Sequence, residues 1–589
     1  ALVVVTDKYG DRVWPFSDHT WKLKTGDNYT WTATKKGYIG KQDSFRVTSD
    51  TVSINLTKAS ANNKIDTSIT AEWGNFRKGD DELGLTDAKT PFNPDDAELL
   101  WAVKYGSNHA NAPSSPAIVD GDLVIVTGTT IRRIDKNTGV TKAQGTLTCQ
   151  PGFSTVPVTY GDGMIFAPLD SGKIQAFNAK TLESLWVYTD KLGGQPITPI
   201  TYKDGYIYEG FWNGETKNAN FACISVTDEV PTRTNETKYA SWTYKRMGGF
   251  YWAGAYVTDK FAIVGTDDGA SGCNTESASL LVLDRETGEV VDSWDGIRGD
   301  IRSNVSHDPE SDRVFFTSKG GVLCNAQIDW ETGEITDKQS VVITDAQGNT
   351  QAMSTCTPSV YNGRIYIGIS GKSQFGANSG HAIGVYDLNE DGSMTQAYTY
   401  ATKGYPQTSA MVTTAYSAED ESVYIYLPYN AEPGGIVVLK DKKGQTAPQT
   451  ITGSDSSEIF TPSGALSQYC ICSTIADEYG TLYYKNDSCY LMALTSKVES
   501  IEVTEEPTSV TEKNGTIIVE GLKVVSNLKN GEQRDISDYV KVTKQDDGTY
   551  LVTYTYGFDN ANYGLKTLTT TFGEATVSFG DVNGDGVVN

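Results

Sequence analysis

Short runs of apolar and β-branched residues, each closed by turn-forming residues, recur along most of the chain. In one clear unit, Ala117-Ile118-Val119 precedes Asp120-Gly121, and Leu123-Val124-Ile125-Val126 follows it. The next run ends at Asp135 and leads into Thr138-Gly139. Runs of this length between Asp-Gly and Thr-Gly turns predict four short antiparallel strands per unit.

The same unit recurs at the spacing typical of propeller blades, about 40–65 residues. We count eight copies, which begin near Ser115, Val156, Ile197, Ala253, Asn304, Thr357, Ser409 and Ser473. The eighth copy stops at its third strand, 490–494, whereas an unpaired strand at 99–103 precedes the first copy. We therefore expect that strand to complete the last blade and close the ring, which removes exposed sheet edges. The alternative count is seven blades, because the longer fourth and seventh units could contain an irregular connection.

The unit resembles the pyrroloquinoline-quinone-type repeat. The resemblance rests on a Pro-containing first strand, an Asp-Gly turn, a third strand that ends in Asp before Thr-Gly, and a Trp on the fourth strand. It covers residues 61–497 and implies an all-β, eight-bladed propeller. It also implies, for a dehydrogenase of this family, a quinone with Ca²⁺, a catalytic Asp, a stacking Trp and a disulfide between adjacent cysteines. Here no two cysteines are adjacent, since Ile471 separates Cys470 from Cys472, and no Asp base or metal ligand set can be matched. The sequence therefore argues against this cofactor, and shared folds host many functions.

Two further segments flank the repeats. Residues 1–60 alternate apolar and polar positions and resemble small Ig-like or carboxypeptidase-regulatory-like sandwiches of secreted proteins. Residues 498–579 resemble a bacterial Ig-like domain, with runs such as 550–556 and a final strand at 575–579. Both segments are interpreted as spacer or accessory modules.

The last ten residues carry the most specific short motif. The string Gly580-Asp581-Val582-Asn583-Gly584-Asp585-Gly586 resembles the start of a type I dockerin, the module that docks secreted proteins onto cohesin scaffolds. Oxygen ligands at alternating positions with Gly at the sixth suit Ca²⁺, and the candidate metal residues are Asp581, Asn583, Asp585, Val587 and Asn589. The loop ends before the bidentate acid at its twelfth position, so we expect weak calcium binding, and a cohesin partner only if a complete dockerin follows.

Composition narrows the class of partner. The chain has 589 residues and a formal net charge of −25, which disfavours binding to nucleic acid. No apolar run is long enough to cross a membrane as a helix. No signal peptide is recognisable, as also expected of a processed secretory chain. Most of the eight cysteines are interpreted as buried free thiols, and the four histidines show no metal spacing. We expect an extracellular monomer.

The candidate binding surface follows from propeller topology. Loops between strands 2 and 3 share one face with the connections from strand 4 to the next blade, and here these loops are long; we call this the long-loop face. Long loops on a rigid scaffold are where binding residues concentrate. Aromatic rings among polar side chains suit amphipathic sugars. The candidate ligand-binding residues are Trp212, Asn213, Phe250, Tyr251, Trp252, Arg302, Phe375 and His109.

Several alternatives stay open. Trp252 could instead begin an inner strand and pack between blades, whereas the turn beside Asn213-Gly214 favours exposure of Trp212. The sequence favours a secreted protein that binds a glycan or another extracellular partner, over an enzyme. The alternative is a quinoprotein dehydrogenase, or a carbohydrate-active lyase or hydrolase, that uses the same face. A third hypothesis is that the protein is a scaffold for protein interactions.

Overall fold

The computed structural model describes residues 1–48, 51–152, 156–195, 197–371, 379–449, 451, 457–513 and 515–573. Across these ranges the regular structure is almost entirely β-strand, which confirms the all-β prediction. The described helical segments are one turn of α-helix, Ser417–Asp420, and the short 3₁₀ turns Pro94–Asp96, His109–Asn111, Gly464–Leu466 and Ser537–Tyr539.

Eight sheets of four or five strands follow one another through the central part of the described chain; we name them S1 to S8. Their strands are, for S1, Ala71–Trp73, Ala117–Val119, Asp122–Thr127, Thr130–Asp135 and Thr141–Thr146; for S2, Thr159–Gly161, Met164–Leu169, Lys173–Asn178, Ser184–Thr189 and Glu236–Lys238; for S3, Thr201–Lys203, Tyr206–Gly210, Asn218–Ser225 and Trp242–Met247; for S4, Tyr256–Val257, Phe261–Gly265, Ala278–Asp284 and Val290–Ile297; for S5, Ser306–Asp308, Arg313–Thr317, Val322–Ile328 and Ile335–Val342; for S6, Ser359–Tyr361, Arg364–Ile369, Ala382–Leu388 and Met394–Ala401; for S7, Leu85–Thr86, Met411–Thr413, Val423–Pro428, Ile436–Asp441 and Glu458–Phe460; and for S8, Ile475–Ala476, Leu482–Lys485, Tyr490–Ser496 and Ala97–Lys104.

The last sheet joins distant parts of the chain. Strand Ala97–Lys104 runs antiparallel to Tyr490–Ser496, with Trp101 opposite Ala493. The outer strand of S8 thus precedes strand Ala117–Val119 of S1 in sequence, while its other strands follow S7.

A hydroxyl side chain repeatedly links the inner strand of one sheet to the next sheet. The donor and acceptor pairs are Thr159 to Ile200 O at 2.8 Å, Thr201 to Ala255 O at 2.8 Å, Ser306 to Pro358 O at 2.8 Å, and Ser359 to Ala410 O at 3.0 Å. These bonds satisfy buried carbonyl oxygens that the short inner strands leave unpaired, and they fix neighbouring sheets side by side.

The outer-strand tryptophans have a similar structural role. The indole N–H of Trp242 donates to Arg285 O of the next sheet at 2.9 Å. Gly288, in the Thr-Gly turn beside that carbonyl, has φ +72°, and a Cβ there would lie 2.4 Å from the Trp242 ring. Trp101 and Gly139 repeat this packing between S8 and S1. The recurrent Asp, Thr-Gly and Trp pattern is therefore explained by contacts between sheets.

Residues 71–86, which we call the central segment, cross the middle of the ring of inner strands. Its two ends pair with inner strands of S1 and S7, with Trp73 opposite Ile118 and Leu85 opposite Val412. Its other contacts reach four further sheets: Gly74 O accepts from Tyr160 N of S2, Asp80 pairs with Lys203 of S3, Asp81 O accepts from His307 N of S5, and Arg77 donates to Ser359 of S6. These contacts with six of the eight sheets place the segment across the centre of the ring. The sequence did not predict this segment.

Smaller sheets form the two ends of the described chain. The N-terminal strands are Leu2–Thr6, Arg12–Val13, Asn28–Thr34, Tyr38–Ile39, Lys41–Arg46 and Thr57–Lys58, and the C-terminal strands are Val498–Glu505, Ser509–Lys513, Thr516–Glu520, Lys523–Leu528, Gln533–Asp535, Val540–Lys544, Tyr550–Phe558 and Gly564–Phe572. The C-terminal sheets share one hydrophobic core with parts of S1, S7 and S8. The strand expected at 575–579 and the candidate calcium loop lie outside the described residues.

Candidate functional site

Two pairs of loops meet on the long-loop face at S3 to S5. In S3, the loop between strands 2 and 3 brings Trp212 against Tyr251, which lies in the connection to S4. In S4, the corresponding loop brings Asp267 against Arg302, which lies in the connection to S5. The observed contacts thus bring together the two kinds of loop that the sequence assigns to one face.

Three aromatic side chains form a platform there. Trp212 and Tyr251 have ring centroids 4.7 Å apart, and Tyr251 stacks on Trp252 at 5.0 Å. All three side chains are half-buried. Trp252 has φ +59°, a left-handed conformation that costs energy for a bulky residue. Strain of this kind is retained where the surrounding structure fixes a side chain in one direction, as it does at binding sites.

A buried charge cluster lies against the platform. The guanidinium of Arg302 lies 4.5 Å from the centre of the Tyr251 ring. It donates to both carboxylate oxygens of Asp267, at 3.2 and 2.8 Å, and its Nη2 lies 2.9 Å from Asp300 Oδ2 and 2.8 Å from Glu215 Oε2. Arg302, Asp267 and Asp300 are at most 1% exposed, whereas the Glu215 side chain is 30% exposed. Glu215 is thus the member of the cluster that solvent reaches.

Burial and pairing compete within this cluster. Burial lowers the pKa of Arg302, but the negative charges of Asp267 and Asp300 raise it more, so its net shift is upward. Burial holds the pKa of Asp267 well above its usual range despite Arg302. Burial also raises the pKa of Tyr251 to about 12, so its phenol stays protonated near neutral pH. Arg302 is thus the permanent cation on which the cluster depends.

A second cation lies beside the cluster. Lys319 Nζ lies 3.0 Å from Cys273 Sγ and 3.6 Å from Asp300 Oδ2. Glu215, Cys273 and Asp300 offer three ligand atoms within 4.8 Å of one another, the one such group among the described residues. Because Lys319 already contacts two of these residues, a metal ion would have to compete with its ammonium group.

The remaining space at the centre of the ring is small. Phe76, Trp252, Arg302 and residues just before the inner strands of S6 and S7 line a half-open cavity of about 40 Å³. Pockets for drug-sized ligands measure about 300–1,000 Å³, and one water needs at least about 10–15 Å³. The part of the cavity lined by described residues therefore suits a few water molecules.

The candidate residues from the sequence divide into three groups: four at the platform, one beside it, and the others apart from it or outside the described residues. Trp212, Tyr251, Trp252 and Arg302 lie together, but Arg302 is buried and reaches a ligand only through its neighbours. Asn213 lies beside the platform, and its amide group donates to Leu192 O and Asn218 O, at 3.1 and 3.0 Å.

The other candidates lie apart from the platform. Phe250 is fully buried, 5.4 Å from the Phe221 ring, so its proposed contact with ligand is corrected to a core position. The backbone N–H of Phe250 donates to Phe211 O at 3.0 Å, and the ring lies in the core. His109 is exposed in the connection between S8 and S1, near Asp487 and far around the ring. Phe375 and the five candidate calcium ligands lie outside the described residues.

Glu215, Asp300 and Lys319 also belong to the site, although the sequence did not indicate them. The Asp300 side chain is buried and paired with Arg302. Neighbouring acids also separate: Asp267 faces Arg302, whereas Asp268 accepts from Thr275 N and Oγ1 at 2.8 and 2.9 Å. They do not form an acid/base pair.

Comparison with known proteins identifies the fold. No protein-family model matches the chain, and no curated protein is similar to it in sequence. Among solved structures, it is similar to the quinohemoprotein alcohol dehydrogenase ADHIIG from Pseudomonas putida HK5, with 10% identity, a TM-score of 0.51, and coverage of 75% of this chain and 84% of the other. The quinohemoprotein alcohol dehydrogenase from Comamonas testosteroni is 11% identical, with a TM-score of 0.51 and coverage of 75% of this chain and 83% of the other. A europium-containing methanol dehydrogenase is 10% identical, with a TM-score of 0.50 and coverage of 73% of this chain and 99% of the other.

These likenesses show the fold alone, because sequence identity is so low. We therefore tested whether the described residues fit a quinone cofactor. The central cavity that the described residues line measures about 40 Å³, and the chain has no adjacent cysteines. The described residues do not fit the group. No described helix is long and apolar enough to span a membrane. The chain is an all-β protein with a quinoprotein-like β-propeller fold.

Proposed function

We propose that this protein is a secreted glycan-binding protein whose ligand lies on the long-loop face at S3 to S5. The observation that carries the proposal is the platform of Trp212, Tyr251 and Trp252, in which Tyr251 stacks on Trp252, meets the tilted ring of Trp212 and contacts the Arg302 guanidinium. Sugar rings present apolar C–H faces and polar edges, which match aromatic faces bordered by hydrogen-bonding groups. Glu215 supplies such a group at the edge.

Several features favour binding over turnover. Cleavage of a glycosidic bond generally uses two carboxyl groups on either side of the bond. In the described part of this site, Asp267 and Asp300 are buried and paired with Arg302, so only Glu215 faces solvent. One accessible carboxylate suits recognition of a sugar hydroxyl.

The wider architecture is part of the same proposal. Each of the sheets S1 to S8 would be one blade of an eight-bladed propeller, closed by Ala97–Lys104. Residues 1–60 and 498–579 would be Ig-like modules, and residues 580–589 would begin a dockerin that tethers the protein to a cohesin scaffold outside the cell. The propeller would act as a monomer.

Alanine substitution of Trp212 and Trp252 tests the proposal. Truncation of an aromatic anchor at a binding site costs about 2 kcal/mol or more, which is about 30-fold in affinity. We expect that loss on immobilised neutral polysaccharides, with no product released by the wild type. Trp330→Ala is the matched control, because Trp330 is half-buried in the turn after Val322–Ile328, away from the platform. Unchanged affinity in both platform variants, or cleavage of the polysaccharide, would contradict the proposal.

A further inference from the structure

We propose that the ligand-binding surface continues from the platform into a cleft beside the N-terminal sheet, and that it takes a linear, neutral polysaccharide. This inference rests on the proposed function, and it adds the length of the ligand, its charge and a role for the N-terminal residues.

The cleft lies between the N-terminal sheet and the outer strands of S2 and S3, with a volume of about 180 Å³. Hydroxyl and amide side chains from both sides line it, including Thr6, Thr32, Gln42, Asn220, Thr237 and Thr243. Pockets that enclose a whole small ligand are larger, about 300–1,000 Å³. The cleft therefore suits one unit of a chain that continues outside it.

Its polar groups are held in place before a ligand arrives. Thr32 Oγ1 donates to Gln42 Oε1 at 3.0 Å across neighbouring strands. On the opposite wall, Asp190 accepts from Asn220 Nδ2 at 3.0 and 3.1 Å and from Tyr188 OH at 2.8 Å. Groups that are already ordered lose little entropy on binding, which favours affinity.

One short segment connects the cleft to the platform. Residues Asp190, Lys191 and Leu192 line the cleft, and Leu192 O accepts from Asn213 Nδ2 at 3.1 Å. Gln195 exchanges two backbone hydrogen bonds with Trp212, at 2.9 and 3.2 Å. Five residue steps of about 3.3 Å limit the distance along this path to about 17 Å. A ligand of a few sugar rings is therefore long enough to occupy both places.

Two apolar side chains are exposed near this path. Leu192 is 38% exposed, and Met247, opposite Asn218 at the end of the S3 outer strand, is 55% exposed. Both offer apolar contacts for the faces of sugar rings. The formal charge of −25 opposes the approach of polyanions. Together these features select a neutral chain.

The test is the dependence of affinity on chain length, with neutral xylo-, cello- and manno-oligosaccharides from the disaccharide upward as probes. In the wild type, we expect affinity for the series that binds to rise about ten-fold once the chain reaches the cleft, as two or three net hydrogen bonds would give. Thr237→Trp fills the cleft from an exposed strand edge and should remove this gain without changing the affinity for short chains. Thr237→Ser is the matched control and should keep the gain.

Gln42→Ala provides a second variant that leaves the cleft open, and it should reduce the gain for long chains. Equal affinity for short and long chains in the wild type, or an unchanged gain in both Thr237→Trp and Gln42→Ala, would overturn the inference while leaving the platform proposal intact. No binding of any oligosaccharide, short or long, would instead overturn the proposed function on which the inference rests.

Discussion

Replacement of Arg302 by Met tests whether one buried cation supports the site. Met keeps most of the side-chain length but removes the charge and all donors. Asp267 then loses two hydrogen bonds, of 3.2 and 2.8 Å, and Asp300 loses a contact of 2.9 Å. Both carboxyl groups are fully buried, so bulk solvent does not replace these contacts.

Removal of one partner from a buried ion pair costs about 3–5 kcal/mol in folding free energy, because an uncompensated charge stays behind. The cost should depend on pH in a defined direction. Burial already raises the pKa of Asp267, and loss of Arg302 raises it further. Below the ordinary Asp pKa of about 3.9 the carboxyl is protonated in the folded and unfolded states of both proteins, so the penalty is absent there. It grows as the pH rises through the raised folded pKa values of Asp267.

Urea unfolding followed by tryptophan fluorescence, at pH 7 and at lower pH values, measures this cost. Arg364→Met is the matched control, because Arg364 is equally buried and pairs with Asp441 and Asp387 between S6 and S7. Both variants should lose stability, but only Arg302→Met should also lose glycan affinity, because it releases Tyr251. A loss below about 1 kcal/mol for Arg302→Met, or an equal loss of affinity in both variants, would refute the reasoning.

Further predictions concern the central segment and the C-terminal sheets. His307 contacts Asp81 at 2.9 Å through Nδ1 and Asp312 at 3.1 Å through Nε2; burial lowers its pKa, but these carboxylates raise it more. The contribution of His307 to stability is therefore present below about pH 6.5 and is lost as the pH rises through the raised folded pKa. The free energy of unfolding of His307→Gln, measured in urea, should lack this pH dependence. Identical pH profiles for the variant and the wild type would contradict the prediction. Trp73→Ala should cost about 3–5 kcal/mol and speed amide hydrogen exchange in the inner strand of S1, because Trp73 is 1% exposed; unchanged exchange would argue against this packing role. Arg534→Met should make the C-terminal sheets unfold separately from the propeller in calorimetry, since Arg534 is buried and donates to hydroxyls of S8; a single unchanged transition would contradict this.

The fold could be predicted from the sequence because the residues that form each turn are close together along the chain. At Asp120-Gly121 both residues have positive φ, 53° and 71°, as a two-residue hairpin turn requires, and Asp162-Gly163 repeats this. Asp135 accepts from Thr138 N and Oγ1, which explains the acidic residue before each Thr-Gly. Such signals lie within a few residues of one another and can be read directly.

The site was only partly predictable, because its contacts join distant residues. Trp212 and Tyr251 were found from their residue type and loop position, but nothing near Lys319 in the sequence indicates its contact with Cys273, 46 residues away. Phe250 has the same residue type as a ligand-binding aromatic, and only packing against Phe221 decides that it is buried. The central segment was missed because its strands are short and pair with sheets far along the chain.

A crystal structure of the protein with the longest oligosaccharide that binds tests the central claim most directly. We predict sugar rings stacked on Trp212 and Tyr251, with the Glu215 carboxylate bonded to a sugar hydroxyl and an intact chain running toward Leu192. Sugar bound elsewhere on the propeller, or a cleaved chain at the platform, would contradict the account.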